Sequence, residues 1–243
     1  YELIEGLPAD GCAFFPNDGA YTKAMYDKTT CKKCLYTLEG EGDIRAEEVC
    51  VSSAGSTFRV VYPGGEFSAT TQLLGRHNVQ NILGCVAIAL ELGLSAEEIR
   101  RGIAKIQPVE HRLQLIQGAG GVTVIDDAFN SNPAGAKAAM DVLAAFPGRH
   151  FVVTPGMIEL GAREEEENRR FGEEIASAAD IVYLVGPKHT RPIYEGLRAA
   201  GFAMERVFVV KSLSEASAQM GAQLKPGDVV LFENDLPDNY NEE

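Results

Sequence analysis

The chain has 243 residues and a formal net charge of −13, and hydrophobic residues make up 45% of it. That apolar content suffices for one large or two ordinary cores, and the acidic balance argues against a nucleic-acid backbone or an anionic membrane as partner. No apolar run reaches bilayer length, no signal peptide is visible, and five cysteines are an odd number; the expectation is reduced thiols in a cytoplasmic protein with no membrane insertion.

Taken in order, Cys12 to Phe15 is a short apolar strand that stops at the turn cluster Pro16-Asn17-Asp18-Gly19, and Ala20 to Asp27 reads as a short helix. Strand-like runs follow at Cys34 to Thr37, Ala46 to Ser52, Thr57 to Tyr62 and Glu66 to Leu73. The last two flank Pro63-Gly64-Gly65, a hairpin signal, so this half is expected to end in antiparallel strands. After Gly75-Arg76-His77-Asn78, the residues Val79, Ile82, Leu83, Val86, Ala87 and Leu90 recur at helical spacing until Gly93. Ser95 with Glu98 three residues on is a capping-box pattern, with Ile99 and Ile103 turned inward. Gln107-Pro108-Val109 breaks that helix and is the expected boundary between a domain of residues 1–107 and one of residues 108–243.

Beyond it the pattern becomes strand–helix alternation. Strands are expected at Arg112 to Ile116, Gly121 to Asp126, His150 to Thr154, Ile181 to Val185, Arg206 to Val210 and Asp228 to Phe232. Helices are expected at Pro133 to Phe146, Arg163 to Ala179, Thr190 to Ala200 and Ser214 to Gln223. The class is α/β, with a mostly parallel sheet covered by helices on both faces.

Three polar constellations carry the candidate chemistry. Arg76-His77-Asn78 with Asn81 reads either as a helix start with a packed histidine or as a nucleotide and metal-phosphate contact. Glu110-His111-Arg112 is either a solvated linker or an arginine that reaches a phosphate. In Asp126-Asp127-Ala128-Phe129-Asn130-Ser131-Asn132-Pro133, two adjacent carboxylates close a strand and two asparagines precede a helix. Turn chemistry with a cap accounts for the asparagines, but neighbouring carboxylates repel each other and need a reason. Cys31-Lys32-Lys33-Cys34 could form half of a zinc site, although Cys12 and Cys50 stand singly; ordinary thiols are the simpler reading. A G-x-x-x-x-G-K-[ST] phosphate loop, a G-x-S-x-G elbow and an H-E-x-x-H pair are all missing from these residues.

Four motifs in order then carry a resemblance: Gly75-Arg76-His77-Asn78-Val79-Gln80-Asn81, His111-Arg112-Leu113, Asp126-Asp127 through Asn132-Pro133, and Pro155-Gly156-Met157-Ile158-Glu159-Leu160-Gly161. The sequence resembles the Mur ligases of peptidoglycan synthesis, most closely the branch that joins D-alanyl-D-alanine to a UDP-N-acetylmuramoyl-tripeptide; Asn17-Asp18 also resembles a turn of the family's central domain. The resemblance implies an ATP-dependent amide ligase acting through an acyl phosphate, with ATP and Mg²⁺ as cofactors and a UDP-MurNAc-peptide and an amino acid or dipeptide as substrates.

The same resemblance makes residues 1–107 the later part of a central ATPase domain and residues 108–243 a C-terminal Rossmann-like domain. It implies His77, Asn78 and Asn81 at the ATP–Mg²⁺ site, with His77 near the metal. It further implies Arg112 on the phosphates, Asp127 with Asp126 on the nucleotide side as catalytic residues, and Asn130 and Asn132 toward the incoming amine. The family's phosphate-loop lysine and magnesium-binding glutamate lie upstream of anything in these residues. With Tyr1 in place of a methionine, a piece of a longer product, inactive alone, is expected. Where the family usually carries Lys-Gly-Ser, the segment Leu231 to Tyr240 is acidic, which leaves the acceptor open. The alternatives are a non-catalytic nucleotide-binding scaffold of the same fold and a folylpolyglutamate-type ligase; the Asn130-Ser131-Asn132-Pro133 spacing speaks against the latter.

Overall fold

A computed structural model describes residues 1–235. The chain divides into two compact units, Tyr1–Gln107 and Pro108–Glu243.

The first unit runs α1 (Glu2–Glu5), β1 (Cys12–Pro16), α2 (Ala20–Lys28), β2 (Lys32–Thr37), β3 (Ile44–Ser52), β4 (Gly55–Tyr62), β5 (Gly65–Thr71), α3 (Arg76–Glu91) and α4 (Ala96–Ile103). Its sheet has the order β1-β2-β3-β4-β5, with the first three strands parallel and β3, β4 and β5 antiparallel. The hairpin at Pro63-Gly64 pairs Tyr62 with Gly65. Ile44, Ala46, Phe58, Val60 and Ala69 supply the sheet side of the core, and Val79, Ile82, Leu83, Val86 and Ala87 of α3 cover them. Helix α4 starts on a complete capping box: the Glu98 carboxylate accepts from the Ser95 backbone N–H at 2.9 Å, and the Glu98 N–H donates to Ser95 Oγ at 3.4 Å.

The second unit runs β6 (Gln114–Gln117), β7 (Thr123–Asp127), α5 (Pro133–Leu143), β8 (His150–Thr154), α6 (Glu164–Ala178), β9 (Ile181–Val185), α7 (Arg191–Ala199), β10 (Val207–Val210), α8 (Leu213–Gly221) and β11 (Val229–Glu233). The strand order is β10-β9-β8-β11-β7-β6, parallel throughout except for the β6–β7 hairpin. Strand β11 slots between β7 and β8, so the winding reverses there. In doubly wound sheets this reversal opens a crevice at the carboxyl ends of the strands. On one face α6 and α7 approach closely: a Cβ added to Gly196 would lie 2.0 Å from the Arg169 carbonyl oxygen. On the other face Ala216 and Met220 of α8 pack on Phe151, Val153, Ile181, Tyr183 and Val210.

The strand predicted from Arg112 begins at Gln114, because His111 (φ 58°) and Leu113 (φ 48°) adopt left-handed backbone that cannot continue a ladder.

Candidate functional site

The second unit gathers its polar side chains at the carboxyl ends of β7, β8 and β11. Strand β7 ends at Asp126 and Asp127, which as neighbours in a strand point to opposite faces. Asp126 Oδ2 lies 2.8 Å from His111 Nδ1, and Asp126 Oδ1 accepts the Ala128 N–H at 3.2 Å. A carboxylate only accepts, so His111 Nδ1 carries the proton of that bond. Asp127 Oδ1 accepts the Leu113 N–H at 3.1 Å. Burial pushes the Asp127 carboxyl up to about 6 and nearby Asp126 adds to this, while the Leu113 N–H and the Arg112 charge pull it down. Between the two pinned residues, the Arg112 guanidinium stacks 4.2 Å over the exposed Phe129 ring.

The loop after β7 leads into α5 through Asn132. Its side-chain oxygen caps the helix by accepting the Gly135 N–H at 3.0 Å, and Pro133 opens the first turn. Asn130 Oδ1 accepts the Ser131 N–H at 2.8 Å. The oxygen of each asparagine is therefore committed to the backbone, which leaves their amide N–H groups as the donors this loop can present.

Behind the loop sits Glu233, the last residue of β11, 1% exposed and paired in register with Asp127. The hydroxyls of Ser131 and of Thr154 (3.0 Å) both donate to its carboxylate. Burial nevertheless pushes its carboxyl up to about 7, the two hydroxyls opposing and Asp127 adding to the rise. Asn234 (φ 64°) donates through Nδ2 to the Gly156 carbonyl at 2.6 Å, and its buried Oδ1 has no hydrogen-bond partner among the described residues. Loop 155–161 is fixed from α6: Asn168, 1% exposed, accepts the Met157 N–H and donates to the Met157 carbonyl, both at 2.8 Å. A cavity of about 450 Å³ opens on the α8 face of this edge, lined by Val124, Val153 and Phe232 with His111, Asp126 and Asn234.

In the first unit, His77, Asn78 and Asn81 share the opening turns of α3. The Asn78 Nδ2 donates to the Leu74 carbonyl at 2.8 Å, Arg76 pairs with Glu39 at 2.9 Å, and Asn81 is exposed. The His77 ring is open to solvent, so the desolvation that lowers its pKa is a modest influence. Among the described residues, no three His, Cys, Asp or Glu side chains converge as a metal cage. Cys12, Cys31, Cys34, Cys50 and Cys85 are all free thiols.

Two family models match these units. The model described as "Mur ligase middle domain" matches residues 1–89, and the one described as "Mur ligase, glutamate ligase domain" matches residues 111–233, about half of the chain by itself. The chain belongs to the Mur ligase family.

Among its relatives, the UDP-N-acetylmuramoyl-tripeptide–D-alanyl-D-alanine ligase of Escherichia coli K12 is 31% identical over 188 residues, which is 76% of this chain and 42% of that protein. The Bacillus subtilis 168 ligase of the same name is 27% identical over 234 residues, 95% of this chain and 50% of that protein. The chain thus spans about half the length, or less, of these curated relatives. A crystal structure of MurF from Acinetobacter baumannii superposes with a TM-score of 0.82 at 25% identity, covering 96% of this chain and 50% of that one. MurF from Thermotoga maritima in complex with ADP also gives 0.82; at 20% identity, with 96% of this chain and 52% of that one covered, its likeness is one of fold.

The Mur ligase match in the second unit starts at His111 and ends at Glu233, so it begins and ends on residues of the edge described above. Sequence reasoning found Arg112, Asp126, Asp127, Asn130 and Asn132, and these five gather at one strand edge. It missed Glu233, Thr154, Asn168 and Phe129. Asn168 carried a signal, since it lies three residues before Phe171 and seven before Ile175 on the buried face of α6. Glu233 carried a weaker one, a carboxylate directly after the run Val229-Val230-Leu231-Phe232. The acidic segment noted from Leu231 is covered to Asp235; Leu236-Pro237-Asp238-Asn239-Tyr240 lie outside the described residues.

Proposed function

We propose that this chain is part of an ATP-dependent carbon–nitrogen ligase of peptidoglycan precursor synthesis, one that adds D-alanyl-D-alanine or a related amine to a UDP-N-acetylmuramoyl-peptide. Residues 1–107 then belong to the ATP-binding domain and residues 108–243 to the ligase domain. Family membership and the names of the curated relatives support the reaction class. The observation that carries the reading is the arginine at the carboxyl edge: Arg112, stacked on Phe129 and flanked by residues pinned to Asp126 and Asp127.

When bound, ATP supplies the phosphoryl group that converts a substrate carboxylate into an activated acyl donor. Arg112 offers a planar, permanently charged fork that offsets phosphate charge in the transition state. Asp127, with its carboxyl at about 6, is mostly ionised at neutral pH and serves as an acceptor toward nucleotide hydroxyls, with Asp126 beside it. Asn130 and Asn132 present amide donors suited to the carboxylate of the incoming amino component. In the first unit, Asn78 and Asn81 are the proposed nucleotide contacts and His77 the proposed neighbour of the metal. Magnesium prefers oxygen ligands in octahedral array and usually keeps several waters and substrate phosphates among them, and among the described residues no three His, Cys, Asp or Glu side chains converge to hold it. The reading locates the ligase in the cytoplasm, acting on small molecules.

The test is joining of D-alanyl-D-alanine to UDP-N-acetylmuramoyl-tripeptide, followed by ADP release, in the ligase that contains this chain. Loss of a charge-stabilising donor costs about 10²–10³ in turnover, so Arg112→Ala should lower kcat on that order with the fold intact. Wild-type turnover in that variant would remove Arg112 from the site, and no ATP-dependent joining by the wild type would overturn the reaction class.

A further inference from the structure

The residues flanking Arg112 are each held by one member of the adjacent carboxylate pair. His111 Nδ1 donates to Asp126 Oδ2 at 2.8 Å, and the Leu113 N–H donates to Asp127 Oδ1 at 3.1 Å. Both flanking residues adopt left-handed backbone, at φ 58° and 48°, and the Arg112 N–H closes a turn on the Val109 carbonyl at 3.1 Å. A non-glycine residue does not rest in that region without contacts that over-determine it. Here the contacts are those two hydrogen bonds and the burial of Leu113, which is 5% exposed. The guanidinium itself lies 4.2 Å over Phe129, a residue of the loop that leaves the same carboxylate pair.

Both oxygens of Asp126 are engaged in this arrangement. One oxygen takes His111 and the other takes the Ala128 N–H at 3.2 Å, and its side chain is 14% exposed against 54% for His111. Its hydrogen bonds run to the protein around it. The adjacency of two carboxylates at one strand end also gains a physical reason: their side chains diverge, and each fixes one neighbour of the same arginine.

We propose that His111 and Asp126 are positioning residues for Arg112, a latch that holds the guanidinium stacked on Phe129 and aimed for a phosphate-bearing ligand. The proposal rests on the reading of Arg112 as a phosphate contact. An unrestrained arginine must give up side-chain rotamers and backbone freedom when it clamps a phosphate; a latched one has given them up on folding, so binding costs less. The consequence is specific. Removing His111 leaves the guanidinium itself in place, yet it weakens ligand binding.

The experiment is solution NMR on the full ligase that contains this chain, following the Arg112 Nε–Hε resonance during titration with millimolar ATP. In the wild type the Phe129 ring shifts that resonance upfield, and ATP moves it. His111→Ala should bring it toward the position of an unstacked arginine and weaken the ATP response about three- to tenfold, the cost of immobilising one flexible side chain. His111→Asn, which keeps a donor for Asp126, should restore most of both effects, and Asp126→Asn should reproduce the loss in part; thermal melts confirm that each variant is folded. An Arg112 resonance and ATP response unchanged in His111→Ala would overturn the latch while leaving the phosphate contact standing. An Arg112 resonance that ignores ATP in the wild type would overturn the phosphate contact, and with it the purpose of the latch.

Discussion

Glu233→Gln tests whether the carboxyl edge is built around a buried acid that ionises near neutrality. The side chain is 1% exposed, and burial lifts its carboxyl from the ordinary 4.5 to about 7. Between those two pH values the folded chain keeps a proton that the unfolded chain has released. The contribution of Glu233 is therefore fully present below pH 4.5 and is lost as pH rises toward 7. At about 1.4 kcal/mol per pH unit, that interval amounts to about 3 kcal/mol. Glutamine keeps the volume, accepts from one hydroxyl of Ser131 or Thr154 and donates to the other, and never ionises. The variant should match the wild type near pH 4.5 and exceed it by up to about 3 kcal/mol at pH 8. Asp127, pushed up to about 6, adds a smaller loss of the same sign in the wild type, and relief of its repulsion from Glu233 adds to the gain. Urea denaturation of both proteins at pH 4.5, 6 and 8 measures the difference, in which the carboxylates not coupled to Glu233 cancel. Parallel stability profiles, or a glutamine variant weaker at pH 8, would refute the assignment of a buried acid that ionises near neutrality.

Two further substitutions probe the same edge. Asn168→Ala leaves the buried Met157 N–H without its partner and its carbonyl with only the His189 ring at 3.2 Å; an unsatisfied buried group costs about 1–3 kcal/mol, so a clear fall in the urea midpoint is expected, with fraying of loop 155–161 visible by amide exchange. Asn132→Ala removes the cap of α5 and should cost about 1 kcal/mol in denaturation, which separates its structural role from any effect on the incoming amine.

Local physics carried much of this protein into its sequence. The Ser95–Glu98 capping box, the Asn132-Pro133 helix start, the hairpin at Pro63-Gly64 and the apolar faces of α3 and α5 depend on residues within a few positions of each other. Periodicity and turn chemistry therefore report them. The ordered polar motifs were equally local, which is why Arg112, Asp126, Asp127, Asn130 and Asn132 could be named before their positions were known.

What the tertiary structure alone decided depends on pairings across long stretches of chain. The insertion of β11 between β7 and β8 brings Glu233 beside Asp127 and under Ser131, 102 residues away in sequence. No window of sequence contains both partners, so neither the burial of that acid nor its raised pKa is visible in either segment. The same holds for Asn168, whose inward position is periodic but whose partner, Met157, lies in a loop without a period of its own. The carboxylate pair joins the two levels. Its presence was plain in the sequence, but its reason appeared only when folding brought His111 and Leu113 within hydrogen-bond reach, because a hydrogen bond depends on distance in space and not on distance along the chain.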